Sequence, residues 1–210
     1  MGHSDTRARL LRAATEVFSE AGYRAASTRE ICRRGDVNLA AIHYHFGDKA
    51  NLYREVFRST VTESFNAFAQ LDIDSVPLAD ALDCFYRSMI PPTEEDGPLP
   101  LQFMRLHARE EGDPSGVLEN ALSDAIRPSH EKLQRLLCRE LGVDSPDLEI
   151  SRLAFCLFGM ISVYLHGRSV VETLSPELIR DKQANEQMIA RLVSYATALI
   201  AAERKGELHA

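Results

Sequence analysis

The chain has 210 residues, 45% of them hydrophobic, enough to bury a core in one long domain or in a small domain joined to a larger one. Its net charge of −7 argues against a surface coated with nucleic acid, but the charge is uneven: through Arg58 there are ten Lys and Arg against seven Asp and Glu, and the remainder is acidic. Four scattered cysteines, Cys32, Cys84, Cys138 and Cys156, exclude a disulfide-rich scaffold and a CxxC metal pair, and read as reduced, buried thiols.

From Thr6 to Ala21, Leu10, Leu11, Ala14, Val17 and Phe18 recur at helical spacing, with Asp5 or Thr6 able to cap the start and Gly22 able to end the helix. Ser27 and Glu30 then form the S-x-x-E pattern of a capping box, which predicts a short second helix ending near Gly35. Gly35-Asp36 reads as a tight turn, Val37 as a buried plug and Asn38 as the cap of a third helix, NLAAIHYHFGDK. In that helix Ile42 and Phe46 share a packing side with Leu39 at its edge, while Ala40, Ala41 and Tyr44 point the other way. Small alanines permit close approach of the helix backbone, and His43, Tyr44, His45 and Lys49 supply donors for phosphates. Two short helices joined by a turn of this length are the pattern of a helix-turn-helix whose second helix reads DNA.

The run TRARLLRAATEVFSEAGYRAASTREICRRGDVNLAAIHYHFGDKANLYREVF resembles the N-terminal domain of TetR-family transcriptional regulators. The matching positions are Arg9, Leu10, Ala13, Ala14, Phe18, Gly22, Ser27, Ile31, Val37, Tyr44, His45, Phe46, Lys49 and Leu52. Two positions depart from the pattern: Asp36 replaces the turn glycine, and His43 replaces a tyrosine common before the YHF element. The resemblance implies a three-helix DNA-binding unit whose third helix enters the major groove. Carried over by position, Thr28, Arg29, Asn38, Tyr44, His45 and Lys49 hold phosphates, whereas Leu39, Ala40, Ala41 and His43 face base edges. His43 and His45 cannot share a metal ion, because side chains two apart on a helix diverge by about 200°. No metal and no cofactor are expected.

Asp48 should cap a fourth helix running to about Gln70, with Leu52, Val56, Phe57, Val61, Phe65 and Phe68 inward. Leu71 to Pro77 reads as a loop, and Leu78, Leu82, Phe85, Tyr86 and Met89 mark helix five. Pro91 to Pro100 holds four of the nine prolines and three acids, the composition of a surface loop or lid. A sixth helix is expected over Leu101–Glu111 and a seventh from near Ser115, kinked or split by Pro128. This region, with FMRLHAREEGDPS and the later IRP, resembles the CecR-type C-terminal domain found in one branch of the family. Leu148 to His166 is apolar nearly all round and predicts a helix buried on both sides, with Gly159 marking close approach of another backbone. Its longest apolar run, Leu153–Leu165, is 13 residues, short of the roughly 20 that a membrane span needs. The last helix is expected near Ala184–Glu203, with Ile189, Leu192, Val193, Ala196, Leu199 and Ile200 in a stripe.

An enzyme is disfavoured. GDPSG at Gly112 has its serine one place too late for a nucleophile elbow, and His130-Glu131 lacks the second histidine of HExxH, where Gln134 stands. The expected architecture is all-α, with a helix-turn-helix domain over residues 1–50 and a larger helical ligand-binding and dimerisation domain over 51–210. Apolar faces with a few polar handles nominate Tyr86, Met89, Phe103, Met104, His107, Phe155 and Tyr164 as pocket residues. The resemblance implies a homodimer through the last two long helices, a double-stranded DNA operator and a small-molecule effector. It points to a repressor, with control of export or drug-resistance genes as the expected output. No signal peptide is recognised in the N-terminal residues, so a cytoplasmic location is expected. The rival reading is a helical ligand- or partner-binding module without DNA binding.

Overall fold

The computed structural model describes residues 3–90, 105–110, 112–118 and 121–204, and within them the side chains other than those of residues 3, 4, 60–66, 121–125 and 166. Among the described residues all regular structure is helical. In chain order the helices are α1 (His3–Ala25), α2 (Thr28–Arg34), α3 (Ala40–Phe46), α4 (Lys49–Gln70), α5 (Leu78–Met89), a helical stretch at 105–110 labelled α6, α7 (Ala121–Leu141), α8 (Leu148–His166), α9 (Arg168–Leu174) and α10 (Lys182–Arg204). The chain divides into two compact units: residues 1–62 with 96–125, and residues 63–95 with 126–210.

The first unit is built on α1. Leu10, Ala13, Ala14, Val17 and Phe18 are buried on one of its faces and receive Ile31 and Cys32 of α2, Ile42 and Phe46 of α3, and Leu52, Tyr53, Val56 and Phe57 of α4. Each fully buried side chain of this size contributes roughly 1.5–3 kcal/mol relative to exposure. Aromatic rings stack through the core: Tyr53 stands edge-on to Phe18 at 4.8 Å and to Phe57 at 5.2 Å, and is tilted against Tyr23 at 4.9 Å. Helix α1 runs to Ala25, past the expected end, but Gly22 breaks it with φ +71°.

The Ser27 capping box does not form. Ser27 occupies the N-cap position with no side-chain bond, and the Glu30 carboxylate that would reach back to its amide is held by Arg33 and Arg34 on its own helix. Asn38 and Asp48 do cap: Asn38 Oδ1 accepts from the Ala41 amide at 3.0 Å and Asp48 Oδ1 from the Asn51 amide at 2.7 Å. Leu106 of α6 and Leu118 join the same core. Residues 115–118 are not helical, so α7 starts at Ala121 and not near Ser115. It then runs through Pro128 without splitting.

In the second unit α5, α7, α8 and α10 enclose a core that includes Phe68, Leu82, Phe85, Tyr86, Leu136, Leu157, Ile161, Ile189 and Ile200. A fork of two 2.6 Å bonds from Arg87 to Glu186 ties α5 to α10, with Asp83 on the third nitrogen. Helix α8 begins where Asp147 accepts from the Ile150 amide. It buries Leu153, Ala154, Leu157 and Ile161, but Phe155 is 63% exposed and Val163 47%, so its opposite side is open in the single chain and not buried as expected. A Cβ at Gly159 would meet nothing within 4 Å among the described residues, so none of their backbone makes the close approach expected there. The 18-residue stretch Leu148–Leu165 is long and apolar enough to cross a membrane by length and composition, longer than the uninterrupted run suggested; it packs one face into the core of its unit.

The segment between α8 and α10, for which no element is predicted from the sequence, holds α9 and a 3-10 turn at Pro176–Ile179. Of the cysteines, Cys32 and Cys138 are buried, Cys84 is half-buried and Cys156 is exposed, so the expectation of buried thiols fails at Cys156.

Candidate nucleic-acid interface and groove

Helices α2 and α3 and the turn between them form the candidate interface. The turn is held from α1 by Arg9, whose Nε donates to the Gly35 carbonyl at 2.9 Å and whose Nη2 donates to the Asp36 carbonyl and, at 2.8 Å, to its carboxylate. Asp36 takes φ +49°, the left-handed conformation that the missing glycine would adopt without strain. Gly35 must stay small, since a Cβ there would lie 3.2 Å from the Ile31 carbonyl and 3.5 Å from Ala13.

On α3 the division into two faces is sharp. Ile42 and Phe46 are buried; Tyr44 is 69% and Leu39 51% exposed, and Ala40 and His43 are exposed beside them. Leu39 therefore belongs to the outward face. Ala41 is half-buried against the core, and His45 is half-buried with its ring perpendicular to Tyr44 at 5.0 Å. Arg29 stands exposed in the first turn of α2 beside half-buried Thr28. Asn38 engages its Oδ1 in capping, which leaves its amide nitrogen as the group able to donate outward. Lys49 is half-buried: its Nζ lies 4.6 Å over the Tyr23 ring and 3.5 Å from the Arg24 carbonyl, and burial pulls its ammonium below the usual lysine range. Tyr23 as a platform for Lys49 and Arg9 as the clasp of the turn are contacts within the candidate interface that helical periodicity does not reveal.

The unit's cations are largely committed internally. Arg33 and Arg34 pair with Glu30 and Glu20, Arg7 and Arg58 with Glu55, and Arg9 with Asp36. The hydrogen bonds from Arg33 and then Arg34 hold the Glu30 carboxyl down at about 2. Arg29 and Arg12 make no ion pair among the described residues.

The second unit contains a groove of about 590 Å³ between α8, the Pro176–Ile179 turn and α10, with Met160, Leu178, Ala184, Met188 and Leu192 as apolar lining and Tyr164, Glu177, Arg180, Asp181, Gln183, Gln187, Arg191 and Tyr195 as polar groups. Of the nominated pocket residues, Tyr164 lines it. Tyr86 is fully buried with its hydroxyl donating to the Leu157 carbonyl at 3.2 Å, and burial pushes its phenol well above the usual range. Met89 is 5% exposed in the same core. Phe155 is exposed with its ring 5.0 Å from that of His130, whose own pKa burial lowers. His107 belongs to the first unit, tilted against Phe57 at 6.2 Å. Phe103 and Met104, like the expected lid at 91–100, lie outside the described residues. Pairing Met160 and Tyr164 of α8 with Met188 and Arg191 of α10 needs knowledge of which helices are neighbours, which neither helix carries by itself.

Residues 10–56 match the family of bacterial regulatory proteins, tetR family, and residues 78–203 match the C-terminal domain of the HTH-type transcriptional dual regulator CecR. The chain is 29% identical over 173 residues to the HTH-type transcriptional dual regulator CecR of Shigella flexneri, covering 77% of this chain and 76% of that one. Among solved structures, a transcriptional regulator from Rhodococcus sp. Rha1 superposes with a TM-score of 0.65 at 20% identity, over 90% of this chain and 95% of that one. A complex of SmeT with triclosan superposes with a TM-score of 0.67 at 20% identity, over 90% of each chain. With both halves of the fold matched in order, a reading head and then a helical body, the chain belongs to the TetR family of transcriptional regulators, in the branch with a CecR-type C-terminal domain.

Proposed function

We propose that the chain is a homodimeric, effector-responsive repressor that binds a palindromic operator in the cytoplasm and has no enzymatic activity. The observation that carries the DNA-reading half is α3, which buries Ile42 and Phe46 and turns Leu39, Ala40, His43 and Tyr44 outward. Thr28, Arg29, Asn38, Tyr44, His45 and Lys49 hold phosphates on either side of that face, and Leu39, Ala40, Ala41 and His43 meet base edges. Two heads related by a two-fold axis would dock in major grooves one helical turn or a multiple apart.

Pairing is supported by the open face of α8 and α10. Phe155, Gly159 and Val163 on one helix and Tyr195 and Ala198 on the other are exposed in the single chain, and a symmetric partner would cover the same patch in return. The groove borders this face through Tyr195 and is the favoured effector site: its volume lies within the 300–1,000 Å³ or so of small-molecule pockets, and its lining sets apolar side chains such as Met160 and Met188 beside charged ones such as Glu177, Arg180, Asp181 and Arg191. An effector releases DNA only by binding more tightly to the arrangement of heads that does not fit the operator. The triclosan held by SmeT makes that compound a reasonable first probe, and export or drug-resistance genes reasonable first targets.

Binding selection on randomised DNA with the full chain tests the reading. A two-fold symmetric site should emerge, with an affinity that falls steeply with salt. Repeating the measurement with triclosan and related apolar compounds tests the effector half. Recovery of no enriched sequence would overturn the repressor reading.

A further inference from the structure

His43 is an exposed residue of the recognition helix whose hydrogen-bonding polarity the fold itself sets. Its Nδ1 lies 2.7 Å from the Gly47 carbonyl. A carbonyl oxygen only accepts, so Nδ1 is the nitrogen that carries the proton and donates. The contact is closed from the other side, since the Gly47 amide donates to the His43 carbonyl at 3.0 Å. Gly47 reaches both groups because it sits at φ +81°, ψ −56°, where its carbonyl folds back toward the ring. The next residues are fixed in turn by the Asp48 cap on Asn51, and a Cβ on Gly47 would lie 3.4 Å from the Asn51 Nδ2.

A neutral imidazole holds one proton on two nitrogens. With Nδ1 protonated, Nε2 is a lone pair, and it stands on an exposed ring beside Ala40, whose methyl leaves room for a base edge. A lone pair has nothing to offer phosphate oxygens, which only accept. In the major groove the acceptors N7 and O6 of guanine and O4 of thymine are likewise excluded, leaving two donors: N6 of adenine and N4 of cytosine. We infer that His43 reads an exocyclic amine, adenine N6 or cytosine N4, with Gly47 as the positioning residue that fixes its tautomer. This rests on the DNA-reading function above and adds the chemical group that one residue recognises.

Every base pair carries one such amine, so sequence preference alone does not test the assignment. Deleting amines singly does. An operator obtained by selection with the full chain would be resynthesised with purine in place of each adenine and 2-pyrimidinone in place of each cytosine. Each version is titrated with the wild type and with His43→Phe, at pH 8, above the ordinary range of imidazole. At one position per half-site the deletion should weaken the wild type roughly three- to tenfold, the worth of one neutral hydrogen bond, and leave His43→Phe unchanged. If every deletion affects both proteins equally, or if a His43-dependent loss appears when 7-deazaguanine replaces guanine, the assignment is overturned while the operator stands. Failure to select any operator removes the DNA-reading function itself, and the inference with it.

Discussion

Tyr53 donates its hydroxyl to Glu110 at 2.7 Å, and the other oxygen of Glu110 accepts from the amide and hydroxyl of Ser115 at 2.9 and 2.7 Å. Both side chains are buried, Tyr53 to 1% and Glu110 to 9% exposure. The carboxylate therefore pins α4 to the end of α6 and the turn after it, within one unit. Burial first, and Glu110 second, push the Tyr53 phenol far above the usual tyrosine range. A phenol whose folded pKa exceeds its unfolded one contributes stability below the unfolded value, near 10, and loses it as pH rises beyond. Tyr53→Phe should cost about 1–3 kcal/mol at pH 7, and the gap to wild type should narrow above pH 10. Urea unfolding of both proteins at pH 7 and at pH 10.5 measures this.

The Arg9 clasp separates side-chain from backbone contributions in the reading turn. Arg9 bonds two backbone carbonyls as well as the Asp36 carboxylate, and that carboxylate is 97% exposed. Asp36→Gly loses a screened ion pair but relieves a left-handed residue, so its stability should stay within about 1 kcal/mol of wild type. Asp36→Val, branched at Cβ and still at positive φ, should lose about 1–2 kcal/mol or more. Arg9→Ala should cost about 1–3 kcal/mol because it releases both carbonyls. Thermal unfolding of the three variants ranks them.

On the proposed reading, Lys49 and Tyr44 serve position and not sequence. Tyr44→Ala or Lys49→Ala should weaken binding to all DNA sites by a similar factor, and Tyr23→Ala should copy the Lys49 effect, since the ring carries the ammonium at 4.6 Å. Titration against the selected operator and against a scrambled duplex checks this; a change in preferred sequence would reassign the residue to base reading.

The open face of α8 gives the dimer prediction. Val163→Glu places a charge where the proposed partner packs, and the protein should sediment as a monomer with unchanged helix content and much weaker operator binding. A dimer that survives this change at micromolar concentration would put the interface elsewhere.

Much of this organisation is legible in the chain. The bounds of α8 and the capping roles of Asn38 and Asp48 follow from local patterns, because caps and helical periodicity act over three or four residues. The open side of α8 is not legible: an all-apolar sequence predicts contact on both sides, yet in the single chain Phe155 and Val163 stay exposed, and only on the proposed reading does a second copy cover them. The capping box at Ser27 is absent because the pattern takes no account of competitors, and Arg33 and Arg34 hold the Glu30 carboxylate in place of the Ser27 amide. Of the nominated pocket residues, Tyr86 and Met89 carry the polar or soft side chains a pocket would use, yet they sit in the core; periodicity separates inside from outside and not a filled interior from an empty one.

The paired arginines of the reading unit bear on how the protein moves through a genome. With Arg33 and Arg34 turned to glutamates and Arg9 to the turn, fewer charges face an arbitrary duplex than the ten Lys and Arg through Arg58 would suggest. On the proposed reading, such a head would hold random sequence less tightly than one whose arginines all faced the phosphates. Fewer copies would then be held along the chromosome away from the operators.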